Sequence, residues 1–354
     1  MNKNIINTVI REFFTNQCNN NCENIARIIS CKGTIYGLLT TYGKQKAKLT
    51  GKFIHNIQAP KDYPVVGDYV EFCKVQNNDY LSINKVLKRK NKFSRKMPIS
   101  GGRKLYKGVI DGGITEEQVM AANINYVLIL VALDQNFNIA RLERYILLAK
   151  SSNLHPVIIL TKRDLCQDYQ SYVNKVNAID RELAVYAVSS ITGAGVNNLN
   201  SYLKPYYTIA LIGSSGVGKS TLLNYLSSKE VQKTKALSSS SGKGKHTTTH
   251  REMFFLENNC MIIDMPGIKE LQLWLEISDL RYLFKDIMLL EKSCKYKNCS
   301  HKNEAGCAIK EALNNNTLSQ DRYIRYKKLV REANRLIERK AEREKKTKKN
   351  KKYN

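Results

Sequence analysis

The chain has 354 residues, is 42% hydrophobic and carries a formal net charge of +27. That length suggests two or three folded parts with real cores. The surplus argues against an ordinary metabolic enzyme and implies a polyanionic partner, with nucleic acid favoured over an anionic membrane surface. No apolar run approaches the roughly 18 residues of a membrane span, and the Asn-rich start with Arg11 and Glu12 lacks a signal-peptide stretch. A cytoplasmic chain is expected, in which nine cysteines are thiols or metal ligands rather than disulfides.

Residues 1–24 read as a polar extension. Over 25–96 come short β-type runs at Ile28-Ile29, Thr34–Leu39, Lys52–Ile57, Tyr69–Val75 and Tyr80–Val86, separated by glycine turns. Five such runs predict a small antiparallel barrel of the OB type, with an SH3-like barrel as the alternative. Lys88–Lys96 reads as a basic linker and the stretch through Gly113 as loop. From 97 to 280 the rhythm is α/β. Strands are expected at Val127–Leu133, Val157–Leu160, Val185–Val188, Thr208–Ile212 and Met261–Ile263. A helix is read from Ile139, Leu142, Ile146 and Ala149, and the whole predicts a mainly parallel sheet covered on both faces. Residues 281–340 read as helical and cationic, with a capping box at Thr317 and Gln320 opening the last helix. Residues 341–354 form a basic tail. No internal repeat is present.

Gly213-Ser214-Ser215-Gly216-Val217-Gly218-Lys219-Ser220 follows a strand and opens a helix, Ser220–Leu226, which is the setting of a phosphate-binding loop. Its backbone N–H groups and the helix N-terminus suit phosphate oxygens, Lys219 suits the β- and γ-phosphates, and Ser220 suits Mg²⁺. Thr221 would reach the α-phosphate. Asp264-Met265-Pro266-Gly267 ends a later strand, placing Asp264 at the magnesium shell and the Gly267 N–H at a γ-phosphate. In the loop Gly242–Thr249 between them, Thr248 or Thr249 is favoured over Thr247 as the Mg²⁺-binding switch residue.

The base-reading motif comes first in the chain. Thr161-Lys162-Arg163-Asp164 ends strand Val157–Leu160, where open α/β sheets bind ligands. Asp164 can accept from guanine N1–H and its 2-amino group, whereas adenine would leave the carboxylate unpaired. Lys162 would lie along the base. Ser189 and Ser190 fit the remaining base loop. Thr161 stands where Asn is usual and Ile268 where Ras-like enzymes keep a water-orienting Gln, so slow intrinsic hydrolysis is expected and His246 is the candidate to position water.

Cys294-x4-Cys299-x-His301-x5-Cys307 is a closed Cys₃His set suited to one structural Zn²⁺. Cys18, Cys22 and Cys31 lack a fourth ligand and read as incidental; Cys73, Cys166 and Cys260 read as core.

This order, with Pro64-Val65-Val66-Gly67-Asp68 ahead of it, resembles the RsgA family of circularly permuted GTPases over about residues 26–335. The resemblance implies a monomeric GTPase with Mg²⁺ and Zn²⁺ that docks on the small ribosomal subunit and its rRNA and is stimulated there. Alternatives are an RNA-binding scaffold that holds guanine nucleotide without turnover, and a permuted GTPase of the large subunit. Because the chain runs from Gly267 into the C-terminal module, nucleotide state is expected to set that module's orientation.

Overall fold

Strands β1 (Ile25–Lys32), β2 (Ile35–Thr40), β3 (Gly43–Leu49), β4 (Tyr69–Cys73) and β5 (Leu81–Val86) close a ring in the order β1-β2-β3-β5-β4 and back to β1. They belong to a computed structural model that describes residues 24–75, 79–96, 105–106, 109–110, 117–227, 251–265 and 276–350. The β3–β5 pair is parallel and the others are antiparallel, and helix α1 (Gly51–Asn56) bridges β3 to β4. This is the five-stranded OB arrangement. Ile28, Leu38, Ala47, Val70 and Ile83, one from each strand, fill its interior with no exposed surface.

Lys52–Ile57, read as a strand, is largely helix α1, because the Thr50 hydroxyl accepts from Phe53 N–H at 3.2 Å and caps it. The third strand is instead β3, which hides behind Lys44, Gln45, Lys46 and Lys48; Ala47 alone among its residues is buried. A single inward methyl gives too weak an alternation to read.

The expected basic linker is also part strand. β6 (Lys92–Lys96) follows, then the two-residue strands β7 (Leu105–Tyr106) and β8 (Val109–Ile110), and β9 (Glu117–Ala122) pairs with β6. Phe93 is fully buried, and Lys92 pairs with Glu117 at 2.7 Å.

Next come β10 (Tyr126–Ala132), α2 (Ile139–Ser151), β11 (His155–Thr161), α3 (Tyr169–Asn177), β12 (Ala184–Ala187), β13 (Thr208–Ile212), α4 (Lys219–Ser227), β14 (Arg251–Phe255) and β15 (Met261–Asp264). Strands β12-β11-β10-β13-β15 are parallel, and β14 joins antiparallel beside β15. Their continuous apolar runs follow from burial on both faces. The chain leaves the sheet centre in opposite directions from β10 and β13, which makes the crevice between their carboxyl ends the switch point where such sheets take ligands.

The described residues group into two compact units, one drawn from Met1–Arg95 with Glu116–Leu271, the other from Lys96–Thr115 with Gln272–Asn354. Within the first, barrel and α/β sheet are continuous. β1 pairs with β14 at Ser30–Glu252 and Cys31–Arg251. Arg27, 2% exposed, reaches from the barrel to the Thr208 hydroxyl at 2.7 Å and Met261 Sδ at 3.0 Å while stacking over Tyr69. The Pro64–Asp68 turn completes the joint. Gly67 has φ +95°, and a Cβ there would sit 2.1 Å from the Ala122 carbonyl oxygen, so only glycine lets β9 pass so close.

The second unit contains α5 (Arg281–Lys292), α6 (Ala308–Asn314) and α7 (Gln320–Asn350). Arg322 on α7 donates to the Leu283 carbonyl at 2.7 Å and pairs with Asp286 at 3.0 Å, and the Phe284 and Tyr326 rings pack 5.5 Å apart. The cap of α7 is Ser319, whose hydroxyl accepts from Arg322 N–H at 3.3 Å; Thr317, expected in that role, bonds to the Ala312 carbonyl instead. The extra turn at Asn315-Asn316 moves the start of the helix past Thr317. Cys260 is buried as expected, whereas Cys73, at the end of β4, and Cys166, which caps the 3-10 turn Arg163–Leu165, are only half-buried. Among the described residues no helix is long and apolar enough to cross a membrane.

Candidate nucleotide site and metal centre

The phosphate-type loop leaves β13 at Gly213, where φ is +153° and a Cβ would lie 2.6 Å from the Leu130 carbonyl oxygen of neighbouring β10. Any side chain would push the loop out of the crevice. Lys219 opens α4 and folds back over the loop, donating to the carbonyl oxygens of Gly213 and Ser214 at 2.9 Å each. Burial holds its ammonium below the ordinary lysine range, while the charge of Asp264 pulls the other way. Asp264 ends β15 and is buried opposite Leu211 of β13, at the same carboxyl end of the sheet as the loop. Arg141, in the first turn of α2, comes within 3.4 Å of the Ser214 hydroxyl.

Across the crevice, β11 delivers the base-type motif. Thr161 is 2% exposed, and its hydroxyl donates to the Val217 carbonyl at 2.6 Å. The short side chain standing in place of Asn therefore ties the base loop directly to the phosphate loop. Lys162 has a left-handed backbone, φ +62°, which turns its side chain to pair with Asp134 at 2.7 Å. Asp134 loses hydration there, but the Lys162 ammonium and the Asn136 N–H outweigh that loss and hold its carboxyl below the usual range. Arg163 stacks over Tyr169 at 4.3 Å and its N–H meets the Val188 carbonyl, anchoring the 3-10 turn that carries Asp164 into solvent. Ser189 is fully buried and accepts from the N–H groups of Ile191 and Thr192, which shapes the second base loop, with Ser190 half-buried beside it.

The fold thus gathers Thr161, Lys162, Arg163 and Asp164, Ser189 and Ser190, Gly213 to Thr221, and Asp264 around one crevice. His246, Thr248, Thr249, Gly267 and Ile268 lie outside the described residues. Sequence reading missed Asp134 and Arg141. Asp134 could have been found, being the first charged residue past a run of apolar ones at the carboxyl end of a parallel strand. Arg141 had no such signal.

In the second unit the Sγ atoms of Cys294, Cys299 and Cys307 and a ring nitrogen of His301 lie within 4.8 Å of one another. His301 Nδ1 is 3.6 Å from Cys294 Sγ and 3.5 Å from Cys307 Sγ. Tetrahedral zinc with ordinary Zn–S and Zn–N bonds separates its ligand atoms by about 3.6 Å, so the donor set fits that ion in kind and spacing. The backbone is shaped for it. His301 has φ +59°, Lys295 N–H bonds to the Gly306 carbonyl, and Glu304 accepts from the N–H groups of Ser300 and Lys302 at 2.7 and 2.9 Å.

The RsgA GTPase family model matches residues 86–274. The small ribosomal subunit biogenesis GTPase RsgA 1 of Listeria innocua is 37% identical over 320 residues, 90% of this chain and 86% of that one. A namesake, RsgA 2 of Lactiplantibacillus plantarum, is 35% identical over 314 residues, covering 88% and 84%. Among solved structures, YjeQ from Thermotoga maritima superposes with a TM-score of 0.60 at 24% identity, over 88% of this chain and 98% of that chain. YloQ, a circularly permuted GTPase, gives 0.55 at 22% identity, over 88% and 94%. Strands β11 and β12, which carry the base-type motifs, precede β13 and its phosphate-type loop in this chain as well, and with that permuted order, a barrel ahead and a Cys/His cluster behind, it belongs to the RsgA GTPase family.

Proposed function

We propose that this GTPase acts on the small ribosomal subunit late in its maturation, with rRNA as the polyanion that answers the +27 charge. The observation that carries the nucleotide reading is the Thr161–Val217 hydrogen bond, which makes base loop and phosphate loop one rigid cradle. In this reading Asp164 selects guanine, and Lys162 lies along its plane. Gly213 to Thr221 hold the phosphates, with Lys219 leaving its loop carbonyls to meet the β- and γ-phosphates. Ser220 and Asp264, with Thr248 or Thr249, would hold Mg²⁺, which supplies charge neutralisation at the phosphates when bound. Gly267 would sense the γ-phosphate, and Cys294, Cys299, His301 and Cys307 would hold Zn²⁺. GTP favours docking and GDP release, in the cytoplasm, by a monomer built of barrel, GTPase and zinc-bearing helical parts.

The decisive experiment measures GTP turnover with and without purified small subunits. Strong stimulation is expected, lost in His246→Ala with little change in GTP affinity. Nucleotide binding with no stimulated turnover would instead favour the scaffold alternative, and stimulation by large subunits alone would move the enzyme to that particle.

Thr161→Val tests the cradle. It removes the bridging hydroxyl and leaves the Val217 carbonyl short of a donor, so GDP should dissociate about tenfold faster. Release of a fluorescent GDP analogue, followed by stopped flow, reads this directly; an unchanged rate would reduce Thr161 to a packing residue.

A further inference from the structure

The metal-ligand set has a polar neighbour that links it to the basic helix. His301 turns Nδ1 toward two thiols, 3.5 Å from Cys307 and 3.6 Å from Cys294. Its other nitrogen, Nε2, faces Glu291 Oε1 at 3.7 Å. The second oxygen of the same carboxylate accepts from the Tyr326 hydroxyl at 2.6 Å. Glu291 stands on the last turn of α5 and Tyr326 on the second turn of α7, so three separate pieces of chain meet at one carboxylate. Tyr326 is 2% exposed and packs against Phe284 and Tyr323, which leaves its hydroxyl little freedom to point elsewhere.

We propose that Glu291 is the positioning residue for His301, and that Tyr326 makes this carboxylate a mechanical link between the metal centre and helix α7. A ligating imidazole keeps its proton on the nitrogen away from the metal, and an outer carboxylate there fixes ring orientation and raises ligand basicity. At 3.7 Å the contact is an ion-pair distance rather than a hydrogen bond. Metal on Nδ1 would draw Nε2–H and the carboxylate together, and the carboxylate would carry Tyr326 with it. Zinc loading would then fix the first turns of α7, whose exposed residues include Lys327, Lys328 and Arg331. The link rests on the zinc assignment proposed above but requires neither nucleotide nor partner, so it can fail while the GTPase reading stands.

The test uses the full-length zinc-loaded protein, with competition against a chromophoric chelator and hydrogen exchange of residues 320–333. Glu291→Gln should weaken zinc retention about tenfold and Glu291→Ala up to about a hundredfold. Tyr326→Phe, which deletes a single oxygen and keeps the ring, should raise exchange in 320–333 of the zinc-loaded protein to the level of the stripped wild type. Wild-type zinc affinity in both Glu291 variants would overturn the positioning role. Exchange in 320–333 that ignores zinc in the wild type would overturn the link, and Tyr326→Phe tests it even if Glu291→Ala fails to fold.

Discussion

Asp164→Asn is expected to exchange the nucleotide preference of this GTPase from guanosine to xanthosine triphosphate. Guanine presents two donors on one edge, N1–H and the 2-amino group, and a carboxylate accepts from both. Xanthine keeps N1–H but carries an oxygen at position 2. An asparagine amide matches that edge, accepting at Oδ1 and donating from Nδ2, and places two donors face to face when guanine enters. Sites built around such pairs reject the mismatched analogue by about 10⁴-fold, and part of that discrimination should transfer intact because the mutated atom is isosteric. The backbone under Asp164 is held independently of its side chain: Leu165 N–H bonds to the Lys162 carbonyl and Cys166 N–H to that of Arg163. Calorimetric titration of the variant with both nucleotides measures the exchange. Undiminished GTP affinity would remove Asp164 from the pocket.

The second large effect concerns the barrel. Asp68 is fully buried, and Arg89 grips it through two parallel contacts, Nε to Oδ1 and Nη2 to Oδ2, each 2.8 Å. The same guanidinium donates to the carbonyls of Lys61 and Tyr63, also at 2.8 Å, and Val65 N–H supplies a further bond to Oδ2. Burial pushes the Asp68 carboxyl up from its ordinary value, against the pull of Arg89. Arg89→Ala leaves a buried carboxylate with no countercharge at hydrogen-bond distance, only the Val65 N–H, and should cost about 3–5 kcal/mol in urea unfolding. Its pH dependence follows from the raised folded-state value. The penalty is full where Asp68 is ionised in both states and shrinks as pH falls through the raised folded-state value. It is gone below the unfolded carboxylate value, where the group is protonated in both states. Asp68→Asn added to Arg89→Ala should recover part of the loss at neutral pH. A single-variant cost below about 1 kcal/mol would show that the interior admits water at this pair.

Asp68 belongs to Pro64-Val65-Val66-Gly67-Asp68, a motif that sequence alone offered only as a mark of resemblance. The fold explains it as a joint. Gly67 N–H bonds to the Ile28 carbonyl, Ala122 N–H to that of Val66, and the Asn123 amide to that of Gly67, so barrel, turn and β9 share one hydrogen-bond network. Each partner is ordinary by itself. Their significance comes from meeting.

What the linear chain determined by itself was chemistry confined to short stretches. Glycines of the phosphate loop, the hydroxyl and carboxylate of Thr161-Lys162-Arg163-Asp164, and the four spaced donors from Cys294 to Cys307 each answer a requirement within a dozen or so residues of backbone. Spacing can express such requirements because a turn or a metal ion constrains neighbours directly. The tertiary structure decided everything that depends on which strand lies beside which. It brought Arg27 to Thr208 across 181 positions, Lys162 to Asp134 across 28, and Tyr326 to Glu291 across 35. It also made Lys52–Asn56 part of a helix, since closing the ring β1-β2-β3-β5-β4 requires a connection there and gives the third place in the barrel to the lysine-rich β3. Sheet order is set by the summed burial of the whole core, and no local window contains that sum.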